Sequence, residues 1–414
     1  MIEEAIVHVG MHKTGSSSIQ QTLSSVNMDD VEYLSLGSPN HSGLLATVLS
    51  NNPQKYHNHL RNGRSIKQVH ELKRSFTERL HFALKMSTKK RVLLSAEDLS
   101  RPAKHNEELE YLKEILMQYC KRIRIIGYVR PPIGYMQSAF QQRLKGGSQM
   151  RFDLEKVYPY YRKRFSKMDM IFGKENVELI RYGSDSLYNG DAVQDFAKRI
   201  GVKVLADEIV RTNESLSLEA TALLFTFRLY SMQPLGYEGV NRDNNYLVEA
   251  LSSIGSTKLV FSQDAVAPVL SSQQDDIDWI SERLNCSILD QPVESYQCIN
   301  NEKDLFSMAY DNRFALASLL ENTMALEREL TGIAQLVDWL NALHAKTTPP
   351  LSVPTNALFN DTQLKEIISS KGNASALLKI LTEALGNIGE RQAAQSVRNA
   401  EKKASRMLNK SVEQ

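Results

Sequence analysis

The 414-residue chain contains no run of eighteen apolar residues, which argues against a helix that crosses a bilayer. Its first residues, Met1-Ile2-Glu3-Glu4, are acidic and lead straight into an apolar stretch, without the basic and apolar segments of a secretion signal. Cysteine is scarce: Cys120, Cys286 and Cys298 are an odd number with no C-x-x-C spacing, so neither a disulfide framework nor a zinc knuckle is supported. These thiols are expected to be buried or chemically indifferent. Together these absences predict a soluble, cytoplasmic protein. An excess of one charge is also missing, since 50 Lys and Arg face 48 Asp and Glu for a net charge of +2. That balance argues against a nucleic-acid partner and makes any anion site a local one. The sequence has no internal repeat.

What is present is ordinary globular material, 42% hydrophobic and 24% charged, long enough for one large domain with an appendage. Through residue 220 apolar runs alternate with amphipathic stretches: Ile6–Val9 then Ile19–Leu23, Arg91–Ser95 then Leu109–Tyr119, Ile123–Val129 then 135–145, Val177–Arg181 then Ala192–Ile200. Such alternation predicts an α/β fold, a mainly parallel sheet flanked by helices with ligands at the carboxyl ends of its strands. In Glu155–Phe172, the apolar residues Val157, Tyr161, Phe165 and Met168 recur at helical spacing. The basic residues between them then form a solvated face rather than an RNA-binding surface, and Gly173 is the expected C-cap. Residues 219–251 are expected to be helical with a break near Pro234-Leu235-Gly236. The acidic run Asp275-Asp276-Ile277-Asp278 reads as a solvated helix face rather than a metal site.

Two turns carry chemistry. Ala5–Leu23, AIVHVGMHKTGSSSIQQTL, passes from an apolar strand through a Gly/Ser-rich loop into a helix. In such a turn successive N–H groups and the positive helix end hold an anion. A Walker loop reads G-x-x-x-x-G-K-[ST]; here Gly10 and Gly15 are kept, Ser16 stands where that lysine belongs, and Lys13 lies inside the loop. ATP hydrolysis is therefore disfavoured. The second turn follows the apolar run RIIGYV, which ends on Arg130; Pro131-Pro132 stop the strand, and Ser138 follows eight residues after the arginine. A guanidinium fork and a hydroxyl at that spacing can share one phosphate.

Both turns, in this order, resemble the nucleotide-binding motifs of sulfotransferases that use 3′-phosphoadenosine 5′-phosphosulfate. The likeness is strongest to the bacterial branch, whose first loop reads HxGxHKTGTTSIQ. Arg211-Thr212-Asn213-Glu214-Ser215-Leu216-Ser217 is similar to a third segment of that branch, RxNxSLS. There Asn213 and Ser215 either close over the nucleotide or cap the next helix. Residues 258–284 resemble the closing segment of the bacterial domain, in which a helix packs back on the body. The likeness ends near residue 296, giving a sulfotransferase domain over 1–295 and a helical C-terminal extension over 296–414. In the extension, apolar positions in Ile333–Leu343, Leu364–Ile368 and Leu377–Leu385 flank a Pro-rich linker at 347–354, before a polar tail from Gly389. Its helices are assigned to a protein partner or self-association.

The resemblance implies transfer of a sulfuryl group from that co-substrate, with no metal, to a hydroxyl on a saccharide or glycolipid. Lys13 then stabilises the leaving oxygens, while Thr14, Gly15, Ser16 and Ser17 hold the 5′-phosphate, with His12 beside them. Arg130 and Ser138 take the 3′-phosphate. Two residues compete as the base for the acceptor. Glu97 ends the strand RVLLSAE, where partial burial raises a carboxylate's pKa. His41 titrates in the right range without tuning. His41 is the preferred base and Glu97 the residue that orients the acceptor. A P-loop kinase and a catalytically silent nucleotide-binding scaffold are the alternatives.

Overall fold

The computed structural model describes residues 1–11, 13–147, 151–211, 215–230, 244–290, 297–320 and 333–347. His12, Asn213, the Pro234 break and the chain after Thr347 lie outside them.

Five strands form one all-parallel sheet: β1 (Ile2–Gly10), β2 (Val31–Tyr33), β3 (Arg91–Ser95), β4 (Cys120–Val129) and β5 (Val177–Arg181), in the order β2-β3-β1-β4-β5. Ile6 pairs with Leu93 on one side and Arg124 on the other. A strand covered on both faces must be apolar throughout, and β1 is buried everywhere except Glu3. Its side chains alternate between two cores. Ala5, Val7 and Val9 enter the larger cluster and Ile6 the smaller one. The smaller core lies under α1 (Ser16–Ser25) and α8 (Ala192–Arg199), which insert Ile19, Leu23, Val193 and Phe196.

The larger core is covered by the remaining helices of the body, with one exception. These are α2 (Ser42–Leu49), α3 (His57–Arg61), α4 (Ile66–Met86), α5 (Asn106–Met117), α6 (Pro132–Lys145), α7 (Tyr161–Phe172), α9 (Leu218–Tyr230) and α10 (Asn244–Leu251), followed by α11 (Gln263–Ser272) and α12 (Gln274–Leu284). The exception is α3, which adds none of its described side chains to that core. The face expected around Tyr161, Phe165 and Met168 is buried, and Gly173 ends α7 with φ 89°. That helix begins only at Tyr161, because Pro159 follows a separate short turn at Glu155–Val157. The α12 helix packs back on α7: Arg283 pairs with Asp169 at 2.9 Å. Its acidic face is not wholly solvated, since the Asp276 carboxylate accepts the Tyr161 and Arg162 N–H groups at 2.8 Å and so caps α7.

Past residue 296, α13 (Glu302–Asp311), α14 (Arg313–Leu319) and α15 (Ile333–Thr347) insert Leu305, Leu316, Leu336, Leu340 and Leu343 into the same large core. Phe306 meets Phe225 and Tyr230 of α9, with ring centroids 5.7 and 5.4 Å apart. These described later helices share the core of the sheet. None of the described helices is long and apolar enough to cross a membrane.

Candidate active site

In this strand order the chain leaves β1 toward β2 and β3, then returns past it to β4 and β5. A crevice therefore opens at the carboxyl end of β1. The turns after β1, β3, β4 and β5 all reach it, and together they line a cavity of about 1440 Å³.

The β1–α1 turn is built for close approach. A Cβ on Gly10 would lie 2.5 Å from the Ser16 Oγ and 2.8 Å from the Thr14 Oγ1, so a side chain there would push both hydroxyls aside. Thr14 donates from that hydroxyl to the Met11 carbonyl at 2.8 Å and is fully buried. Lys13 has φ 63° and Gly15 φ 78°. Glycine tolerates the left-handed region, whereas for lysine it is strained. Gly15 also sits against α8, where a Cβ would come 2.9 Å from Ala192. The Ser16 Oγ is buried and has no hydrogen-bond partner. Buried hydroxyls are nearly always paired, so an unpaired one at a helix start, where the first N–H groups have no intrahelical partner, is suited to an anionic oxygen. Lys13, Gly15, Ser16 and Ser17 line the cavity.

The residues of the expected Arg130–Ser138 pincer lie just after β4 and on α6. Arg130 lines the cavity, and its Nη1 donates to the Lys13 carbonyl at 2.9 Å, tying the β4 turn to the first loop. On α6 the lining positions are Tyr135, Ala139, Gln142 and Arg143; Ser138, one turn from Tyr135 and from Gln142, is buried. The N–H groups that open α6 are already engaged. Asp290 accepts from Ile133 at 2.7 Å and from Gly134 at 3.2 Å, close to Arg130. Burial pushes the Asp290 carboxyl above its ordinary range, partly offset by these N–H groups and by Arg130 and Arg181. Ser215 lines the cavity and is exposed. Ser215 is not the cap of α9, because Ser217 accepts the Ala220 N–H at 3.0 Å.

Both candidate bases line the cavity. His41 is buried, and its Nδ1 accepts the Ser95 backbone N–H at 3.1 Å. A ring that accepts there when neutral carries its proton on Nε2, and that nitrogen is buried without a hydrogen-bond partner. Burial pushes the His41 pKa down to about 4, with the Leu34 carbonyl opposing part of that fall. His41 therefore positions the end of β3 and offers no lone pair to a substrate. Sequence reasoning underrates its burial, since the loop GSPNHSG reads as surface. Glu97 follows β3 and Ala96, is half-buried and lines the cavity.

The cavity is strongly basic although the chain is nearly neutral: nine Lys and Arg side chains line it against Glu97, Asp98 and Asp191. Several of its polar residues lie outside the sequence motifs. The Tyr56 hydroxyl donates to Asp98 at 2.9 Å, Arg101 pairs with Asp98 at 2.9 Å, and Arg164 donates to the Ser100 carbonyl at 3.1 Å. Among the described residues no three His, Cys, Asp or Glu side chains stand close enough to hold a metal ion. The chain matches no family model, no curated protein and no solved structure.

Proposed function

We propose that this protein is a sulfotransferase, with the sheet and loop arrangement of that fold, moving a sulfuryl group from 3′-phosphoadenosine 5′-phosphosulfate to a hydroxyl acceptor. The observation that carries the reading is the β1–α1 turn. A partnerless buried Ser16 hydroxyl, the N–H groups of Gly15 to Ser17 and a lysine inside the loop open on one basic cavity. Ser16 in place of the Walker lysine, together with Lys13 displaced into the loop, supports a phosphosulfate over a triphosphate.

In this reading the loop amides and the Ser16 and Ser17 hydroxyls hold the 5′-phosphate, and Lys13 neutralises charge on the oxygen bridging phosphorus and sulfur. Arg130 secures the loop through the Lys13 carbonyl and extends its remaining N–H groups toward the nucleotide. As the acceptor oxygen bonds to sulfur, the bridging S–O bond breaks. Its electron pair stays on 3′-phosphoadenosine 5′-phosphate, and the acceptor proton passes to Glu97. A loose transition state of this kind needs alignment and charge neutralisation more than covalent help from the protein. The resemblance of the motifs points to a saccharide or glycolipid acceptor.

The test is incubation with a ³⁵S-labelled sulfuryl donor and fractionated cell extract. Wild type should label an acceptor, and Glu97→Gln should lower kcat by about 10²-fold or more. Nucleotide binding without transfer to any fraction would support a silent scaffold instead, and magnesium-dependent ATP turnover would support a kinase.

A further inference from the structure

The basic residues of the cavity are more numerous than the nucleotide-gripping turns account for. Lys13, Arg130 and Arg211 stand at the three motif segments; Arg64, Arg79, Arg101, Arg143, Lys156 and Arg164 lie elsewhere in the lining. Arg101 is held as a fixed fork. Its Nε pairs with Asp98 at 2.9 Å and its Nη1 donates to the His57 Nδ1 at 3.2 Å, contacts that use two of its five N–H groups.

A second pair repeats the pattern: Arg64 donates from Nη1 to the His59 Nδ1 at 2.9 Å, and the His59 Nε2 meets the Thr47 hydroxyl at 2.8 Å. The turn that carries Arg101 is braced from beneath. Lys167 donates to the Arg101, Pro102 and Lys104 carbonyls at 2.7, 3.4 and 2.8 Å, and Arg164 holds the Ser100 carbonyl. Planar guanidinium donors fixed in advance suit a planar or tetrahedral oxyanion. A neutral sugar needs mixed donors and acceptors instead.

We propose that the acceptor carries an oxyanion of its own, a carboxylate, phosphate ester or sulfate ester near the hydroxyl that is modified, and docks it on Arg64 and Arg101. This inference rests on the transferase reading above, to which it adds the substrate class.

The probes are glucose, glucuronate and glucose 6-phosphate, titrated by NMR into the full chain with and without 3′-phosphoadenosine 5′-phosphate. Both anions are expected to bind at least tenfold more tightly than glucose, and the tighter of them names the anion class. The preference should disappear in Arg64→Gln/Arg101→Gln and persist in Lys13→Gly, which removes the ammonium of the nucleotide loop. Equal binding of all three probes, or a preference that survives the double substitution, overturns the proposal. So does a preference lost with Lys13. Titration of 3′-phosphoadenosine 5′-phosphate into the same proteins reports separately on the nucleotide assignment. An unchanged affinity in the double variant shows that its fold is intact. Failure of the nucleotide to bind wild type, with the anion preference retained, removes the sulfuryl donor but leaves the oxyanion pocket standing.

Discussion

Single residues carry both the strain and the chemistry of this site. Lys13 sits at φ 63°, a conformation that costs an L-residue about 1–2 kcal/mol and that glycine adopts freely. Lys13→Gly should therefore fold as stably as wild type, or melt a few degrees higher, while losing about 10²–10³-fold in kcat for transfer. Thermal melting and single-turnover kinetics check the two halves independently. His41 shows why residue type alone does not assign a role. Its imidazole is legible as a titrating group, but the Ser95 N–H that engages Nδ1 comes from a strand far along the chain and is invisible in local sequence. Because its folded pKa is lowered to about 4 by burial, the unfolded chain takes up a proton first as pH falls below the ordinary value near 6.5. Stability is thus complete above about pH 6.5 and is lost progressively toward pH 4, by on the order of 3 kcal/mol from this group. The buried His8, lowered to about 3, adds in the same direction. His41→Asn keeps an acceptor for Ser95 but removes the titration, so its stability should fall less steeply between pH 6.5 and 4 in denaturant titrations.

At the scale of elements, apolar runs ending in special residues make the site-bearing turns readable. The runs that finish at Gly10, Ser95, Val129 and Arg181 become β1, β3, β4 and β5. In contrast, β2 is only three residues long and is hard to separate from loop by pattern, while α2 and α3, eight and five residues long, are too short to show a clear helical period. One signal there is local: Ser65 and Gln68 form a reciprocal capping box at the start of α4, a spacing visible in the chain. The start of α6 is different. Proline at its first turn is legible, but Asp290, more than 150 residues away, closes on the Ile133 and Gly134 N–H groups only through the fold. Asp290→Ala should cost about 1 kcal/mol, as lost caps do. If the nucleotide's 3′-phosphate uses those same N–H groups, it must displace this carboxylate. Asp290→Ala should then bind 3′-phosphoadenosine 5′-phosphate more tightly by calorimetry, and an unchanged affinity would place the 3′-phosphate elsewhere.

Across the whole molecule, the parallel sheet follows from the β-α alternation, because parallel strands need helical crossovers that cover both faces. The tertiary destination of the later helices does not follow from it. The motif likeness stops near residue 296, yet Leu305, Leu316, Leu336, Leu340 and Leu343 are buried in the sheet's own core. Each such leucine contributes about 1.5–3 kcal/mol by burial, a sum comparable to the whole stability of a typical domain. A chain ending at residue 296 is expected to express as aggregate or to lack a cooperative melt. A soluble truncation with the wild-type melting temperature would show that these helices are a dispensable appendage.

The most direct measurement is a crystal structure of the full chain with 3′-phosphoadenosine 5′-phosphate bound. The expected result places the 5′-phosphate within hydrogen-bond reach of the Gly15 to Ser17 N–H groups and the Ser16 hydroxyl, with the Lys13 ammonium beside it and Arg130 along the nucleotide. A nucleotide bound outside the β1–α1 turn, with the Ser16 hydroxyl still partnerless, would contradict it.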